Sequence, residues 1–114
     1  MKIDRFEDLA VWQKSVDFAT LIYKLFDGTK DFGFKNQIER AVISISNNIA
    51  EGFERKTNNE FKMFLFISTG SCGEVRSMLY VARRLEMIND EQFKDSLSRS
   101  LEISRMLSGL IKSL

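Results

Sequence analysis

Proline and histidine are both missing from the 114-residue sequence, and cysteine occurs once, at Cys72. Without proline, no helix is interrupted by that residue. Without histidine, the chain lacks the side chain best suited to proton transfer near neutral pH and the commonest metal ligand. The single cysteine excludes an internal disulfide and leaves too few ligands for a zinc site. We therefore expect neither a metal centre nor a disulfide-stabilised fold.

Long apolar runs and an excess of either charge are missing as well. No segment approaches the ~20 apolar residues of a membrane span. The first residues, MKIDRFEDLAVWQKS, contain early acidic residues and do not fit a signal peptide. These features predict a soluble cytoplasmic protein with no membrane partner. The 17 basic and 16 acidic residues give a net charge of +1, so nucleic-acid binding requires a local basic patch built by the fold or by several chains.

Apolar residues at spacings of three and four predict four helices in a single domain that covers residues 1–114. The predicted helices cover approximately residues 6–26, 34–49, 61–85 and 90–114. Short connectors between long helices favour antiparallel neighbours. The predicted fold is therefore all-α, an antiparallel up-down four-helix bundle.

Particular residues are predicted to end or begin these helices. Gly52 follows the second apolar pattern and is typical of a residue that stops a helix. Asn58 or Asn59 is predicted to cap the third helix, and Asn89 or Asp90 to cap the fourth.

Two glycines lie in the middle of the third apolar pattern, within the segment STGSCGE. A glycine in a helix interior costs about 1 kcal/mol relative to alanine, yet the apolar spacing continues on both sides. We interpret Gly70 and Gly73 as points where another helix packs close to the backbone.

The chemically reactive groups do not combine into an active site. Carboxylate-bridged metal sites in bundles need Glu-x-x-His pairs, which this sequence cannot supply. Glu51, Glu54 and Glu74 could form an all-oxygen site, but solvated charge or structural pairing is the preferred interpretation. GSCG at 70–73 is too short for a P-loop, and Cys72 has no histidine base. We expect no enzyme activity, no cofactor and no metal.

Basic residues cluster on the predicted second and third helices and in the loop between them. Each cluster alone is typical of a solvated helix surface, and nearby acidic residues could neutralise much of the charge. Brought together by folding or assembly, the same residues would bind phosphates. The candidate nucleic-acid-binding residues are Arg40, Arg55, Lys56, Lys62, Arg76, Arg83 and Arg84.

A polar segment, SNNIAEGFER at 46–55, ends the second helix. Its amides and carboxylates need partners wherever they are buried. We interpret Asn48 and Glu51, together with Glu74, as a structural polar network. Arg55 and Lys56 fit a ligand-facing patch better.

Three segments carry a resemblance to a known family: FEDLAVWQKS (6–15), QIERAVISISNNIAEGFER (37–55) and EFKMFLFISTGSCGEV (60–75). In these segments the chain resembles the four-helix-bundle family of the 23S rRNA intervening-sequence protein, the S23 type. That family is similar to the accessory variability protein of diversity-generating retroelements, a bundle that assists a reverse transcriptase. The sequence departs from the family pattern at Ser46, at Cys72 and in the proline-free turn after the first helix.

The resemblance implies a homo-oligomer, a ring of five subunits, that gathers modest basic patches around one surface. The leading hypothesis is therefore a non-enzymatic ring that binds nucleic acid, with RNA as the expected ligand. The alternative is a protein-interaction scaffold, an accessory factor for a partner such as a polymerase, without nucleic-acid contact of its own. By the resemblance, the family-pattern positions are Arg40, Asn48, Glu51, Gly52, Arg55, Ser71 and Glu74.

Overall fold

The computed structural model describes residues 2–114, and these residues form four α-helices and no β-strand. The helices are α1 (Ala10–Leu25), α2 (Phe32–Phe53), α3 (Asn58–Arg84) and α4 (Asp90–Ser113), with a short 3-10 turn at Phe6–Asp8 before α1. They pack into a body of 43 × 23 × 19 Å. The sequence prediction of an all-α fold with four helices is confirmed.

Each helix packs against its neighbours in the chain, and α4 closes the bundle by packing on α1. Antiparallel order follows from the contacts between side chains. Along α2 and α3, Gln37 bonds Glu74 at one end, and Gly52 faces Phe64 near the other. The most extensive of these contacts is the one between α2 and α3.

Polar side chains cap three of the helices. The Asp31 carboxylate accepts a hydrogen bond from the backbone of Phe34 and begins α2. Thr57 caps α3 by accepting from the Glu60 N–H, so the prediction of Asn58 or Asn59 is wrong by one residue. Asn89 caps α4 in a reciprocal capping box, as one of the two predicted alternatives stated.

The predicted helix stop at Gly52 is also wrong, because α2 continues through Phe53 and no described glycine has a positive φ. The residue with left-handed backbone is Glu86, with φ 60°, at the end of α3. There the Met87 N–H donates to the Ala82 carbonyl over 2.9 Å, and the Glu86 N–H donates to the Arg83 carbonyl over 3.1 Å. This pattern is the Schellman motif, in which glycine is the usual residue.

Gly52 is buried because α3 packs directly against its backbone. A Cβ added there would lie 2.6 Å from the Phe64 Cβ and 3.0 Å from the Phe61 ring. By contrast, a Cβ at Gly70 meets nothing within 4 Å, and at Gly73 only the Arg76 guanidinium at 3.9 Å. Within one chain, the predicted close approach at Gly70 and Gly73 is therefore wrong, and the close approach lies at Gly52.

The core lies along the axis between the four helices and contains mostly aliphatic side chains with three phenylalanines. Burying each side chain of this kind contributes roughly 1.5–3 kcal/mol relative to leaving it exposed. The largest fully buried side chains are Phe18, Phe26, Ile22, Ile38, Ile45, Ile49, Leu65, Leu79, Ile103, Leu107, Val42 and Val75.

Candidate nucleic-acid interface

Large apolar side chains are exposed along the outer surface of α3. Met63, Ile67, Val81 and Leu85 follow one another at spacings of 4, 14 and 4 residues, which places them in one line on the helix. Their exposed fractions are 66%, 51%, 45% and 62%. We call this line the apolar ridge. It lies opposite the buried side of α3, so nothing within one chain covers it.

Beside the ridge, on the flank of α3 that faces α4, lies a surface rich in cations. Lys62 and Arg84 lie at its two ends, and between them Arg76 donates a hydrogen bond to Ser104 of α4 over 3.2 Å. On α4, exposed basic residues 94, 105 and 112 share one side through spacings of 11 and 7. We call this surface the basic face, and its members are Lys62, Arg76, Arg84, Lys94, Arg105 and Lys112.

Two of the four acidic residues of α4 form ion pairs away from the basic face. Glu102 pairs with Lys14 of α1 at 3.2 Å, and Asp95 pairs with Arg99 at 3.3 Å. Because the three α4 members of the basic face point away from these pairs, α4 presents positive charge outward although its four basic and four acidic residues balance. The basic face therefore has an excess of positive charge that the whole-chain net charge conceals.

Among the candidate nucleic-acid-binding residues on this flank, Arg83 forms an ion pair with an acidic residue. Its guanidinium lies 2.6 Å from the Asp90 carboxylate at the start of α4. Donation of that hydrogen bond lowers the pKa of Asp90 and raises the pKa of Arg83. Asp90 is largely in solvent and Arg83 is partly exposed, so the pair fixes the α3–α4 corner more than it contributes to stability.

The remaining predicted cations lie away from the basic face. Arg55 pairs with Glu51 at 3.3 Å, and its guanidinium lies 4.7 Å above the Phe64 ring. Lys56 lies in the connection after α2, at the rim of a surface cavity of about 280 Å³. Arg40 is exposed on α2. The seven predicted residues therefore do not form one continuous patch, since the apolar ridge separates two groups of them.

The three residues assigned to a polar network make separate contacts. Asn48 donates to both the carbonyl and the hydroxyl of Ser44, and that hydroxyl accepts from Ser71 of α3 over 2.8 Å. Gln37 donates to Glu74, which joins the same two helices elsewhere. Glu51 contacts Arg55 within its own helix. Two of the three thus take part in contacts that link α2 to α3, directly or through Ser44.

Cys72 is fully buried between α3 and α4. Its thiol donates to the Ser100 carbonyl over 3.2 Å and accepts from the Ser104 hydroxyl over 3.5 Å. Burial raises the pKa of the thiol, which disfavours the nucleophilic thiolate. In residues 2–114, no three Cys, Asp or Glu side chains gather in a metal-binding group.

A groove runs between α1 and α2 on another side of the bundle. Its apolar part, about 410 Å³, is lined by Val16, Ala19, Tyr23 and Ile43 among others. A mixed-charge extension follows, with residues from both helices. We call the two parts together the α1–α2 groove. The extension is lined by Tyr23, Lys24, Asp27, Lys35 and Glu39.

Sequence reasoning missed the α4 half of the basic face and the exposed aromatic side chains beside it. The spacing of Lys94, Arg105 and Lys112 was a readable signal, because 11 and 18 residues are close to whole numbers of helical turns. The exposure of Phe66 and Tyr80 had no comparable signal, since both residues lie in a continuous pattern of apolar residues.

Comparisons with known proteins show which family and which fold this chain shares. A crystal structure of a protein with unknown function from the S23 ribosomal protein family of Bacteroides thetaiotaomicron is similar, with 32% sequence identity and a TM-score of 0.85. The alignment covers 90% of this chain and 99% of that one. A comparison with curated proteins finds no match. None of the described helices is long and apolar enough to span a membrane. Residues 7–109 match the 23S rRNA-intervening sequence protein family, and the chain belongs to that family.

Proposed function

We propose that this protein is a non-enzymatic homo-oligomer that binds nucleic acid through the basic face, with RNA as the expected ligand. The observation that carries the proposal is the basic face itself. Six cations line the outer surface of α3 and α4, while Asp95 and Glu102 of α4 pair on another side of that helix. Such a surface attracts a polyanion and releases its counterions on binding.

The proposed assembly is a ring in which each subunit contacts the next through two different surfaces. The apolar ridge of α3 is a projecting surface without a partner in the chain, and the α1–α2 groove is a recessed apolar one. A contact between two different surfaces is heterologous, and it generates a closed ring when the rotation closes. Five subunits is the number that the family resemblance implies. The ring would repeat the basic face once per subunit.

The apolar ridge also favours the second candidate function, a protein-interaction scaffold for a partner such as a polymerase. A line of four exposed large apolar side chains is unusual on a monomeric surface and marks an interaction site. In the scaffold alternative, the ridge contacts a different protein and the basic face remains in solvent.

Nucleic-acid binding is tested by removing charge from the basic face. Lys94→Gln/Arg105→Gln alters two exposed residues outside the ridge and the groove. We expect weaker binding to labelled RNA in fluorescence anisotropy, and a plot of log affinity against log salt whose slope is shallower by about 1–2. Lys2→Gln/Lys30→Gln removes the same charge from exposed positions elsewhere and is the matched control.

The control determines how the result is read. Loss of affinity confined to the Lys94/Arg105 variant supports the basic face, whereas equal losses in both variants contradict it. No binding of RNA or DNA by the unaltered protein at low salt contradicts the proposed function and favours the scaffold.

Assembly is tested by placing a charge on the ridge. Ile67→Glu should reduce the oligomer to a monomer in analytical ultracentrifugation, because a buried carboxylate in the contact lacks a partner. Phe32→Glu makes a comparable change at an exposed site away from the ridge and should leave the mass unchanged. A monomeric unaltered protein, or an Ile67→Glu variant with unchanged mass, contradicts the proposed contact.

A further inference from the structure

The basic face contains two exposed aromatic rings on α3. Phe66 is 60% exposed and Tyr80 is 49% exposed. They are separated by 14 residues, nearly four helical turns, so they share one side of α3 at a distance of about 21 Å along its axis. Neither ring is required by the core, whose α3 residues lie on the opposite side of the helix.

Cations flank each ring by one helical turn. Lys62 precedes Phe66 by four residues, and Arg76 and Arg84 lie four residues before and after Tyr80. Residues four apart are neighbours on a helix surface. Each ring therefore lies within reach of groups that bind phosphate. Aromatic rings beside cations are typical of surfaces that bind single-stranded nucleic acid.

The Tyr80 ring is held in place from beneath. It packs edge-on against Phe93 of α4, with ring centroids 5.1 Å apart and an angle of 69° between the ring planes. A ring fixed in this way loses little conformational freedom when a base stacks on it. Between the two rings, the surface at Gly70 and Gly73 carries no side chain.

We infer that the basic face binds single-stranded nucleic acid, with unpaired bases stacking on Phe66 and Tyr80 while the neighbouring cations contact phosphates. This inference rests on the proposed function and specifies the class of ligand. A duplex keeps its bases stacked inside and would contact the cations alone, leaving both rings in solvent. Because every base offers an aromatic surface, the contact is tolerant of sequence.

The test compares a labelled single-stranded RNA with a duplex of the same sequence, at one salt concentration, with the intact protein. We expect the single strand to bind more tightly. Phe66→Ala should weaken single-strand binding by about 5- to 150-fold, the range for loss of one base–aromatic stack. Duplex affinity and the salt dependence should stay unchanged, since no charge is removed.

Two further variants make the result specific. Phe32→Ala removes an equally exposed phenylalanine at the start of α2, away from the cations, and should leave affinity unchanged. Tyr80→Leu keeps an apolar contact with Phe93 but removes the stacking surface, so it should weaken single-strand binding as well. An RNA carrying 2-aminopurine reports stacking directly, through a fluorescence change that Phe66→Ala should reduce and that removal of both rings should abolish.

The outcomes separate this inference from the proposed function. If Phe66→Ala binds as well as the unaltered protein while Lys94→Gln/Arg105→Gln binds weakly, the stacking role is wrong and the proposed function stands. Equal or tighter binding of the duplex also overturns stacking. If Phe66→Ala changes the oligomer mass, Phe66 belongs to the subunit contact instead. If no nucleic acid binds, the proposed function itself fails.

Discussion

The two sides of α2 meet their neighbouring helices in different ways. On the α3 side, Gly52 lets the two helices approach closely, and Ser68 of α3 donates a hydrogen bond to the Ile45 carbonyl over 2.9 Å. On the α1 side, small residues such as Ala19 and Ser46 line an open groove of about 410 Å³. Small side chains thus occur at both contacts, but only one of them is closed.

The difference teaches that a small residue does not by itself draw two helices together. At the α2–α3 contact, large rings from α3 pack over the missing side chain of Gly52. At the α1–α2 groove, no side chain of the described residues fills the space between the helices, which leaves apolar surface for another molecule. The first contact stabilises the bundle, and the second leaves an open apolar groove, which the proposed assembly would use.

The largest effect should come from truncating α2 on its closed side. Ile45→Ala removes a fully buried side chain and should lower the free energy of unfolding by roughly 2–5 kcal/mol. Ile43→Ala, at the partly exposed groove, should cost less than about 1.5 kcal/mol because less area is lost from the core. Urea unfolding of both variants measures the difference, and equal losses would contradict the distinction between the two contacts.

A smaller loss is expected when the close approach is blocked. Gly52→Ala places a Cβ against the Phe64 Cβ, where overpacking costs roughly 1–3 kcal/mol and the better helix propensity of alanine returns about 1. Gly109→Ala, at an open site of α4, is the control and should be neutral or stabilising by up to about 1 kcal/mol. In thermal unfolding, the Tm of Gly52→Ala should therefore be lower than that of the unaltered protein, whereas the Tm of Gly109→Ala should be unchanged or higher. A Gly52→Ala variant as stable as the control would show that the helices separate without cost.

Removing the buried hydroxyl of Ser68 should lower the free energy of unfolding by a smaller amount. Ser68→Ala removes the hydrogen bond to the Ile45 carbonyl and should cost about 1 kcal/mol. Thr20→Ala removes an exposed hydroxyl that bonds the Val16 carbonyl beside the groove, and it should stay within about 0.5 kcal/mol of the unaltered protein. Chemical denaturation distinguishes the two, and a larger loss for Thr20→Ala would reverse the comparison.

The smallest effect on stability should come from Cys72, at the contact between α3 and α4. Because burial raises the pKa of Cys72, the thiol contributes stability that is fully present below the pKa of an exposed cysteine. This contribution is lost as the pH rises from there through the folded-state pKa. Unfolding at neutral and at alkaline pH should therefore show a steeper decline for the unaltered protein than for Cys72→Ala. Identical pH dependence in the two proteins would contradict the shift.

Much of the fold could be predicted from the sequence, because apolar spacing records which side of each helix is buried. The four helices and the Asn89 cap follow from such local patterns. The Thr57 cap had a local signal too, since Thr-x-x-Glu is the capping-box pattern, but the neighbouring asparagines are themselves preferred N-cap residues. The glycines could not be assigned, because spacing does not say which neighbouring helix approaches.

The candidate site was less predictable, because charge separates on α4 only after folding. Its basic and acidic residues are interspersed along the sequence and their charges sum to zero, so the net charge of the helix gives no signal and only the spacing of its basic residues does. The structure places Lys94 and Arg105 outward and directs Glu102 toward Lys14 of α1. Arg55 and Arg83 looked equivalent in sequence, yet their acidic partners lie in different elements, Glu51 in α2 and Asp90 in α4.

The order of the helices has a consequence for how fast the protein folds. The contacts of α2 with α3 and of α3 with α4 join consecutive helices through short connections, and only the α1–α4 contact closes across most of the chain. Such local topology favours folding within microseconds to milliseconds. With no proline in the chain, no isomerisation phase of tens of seconds delays it. In the proposed oligomer, each subunit would then fold before it meets another, and we expect any slow, concentration-dependent phase in refolding to report association.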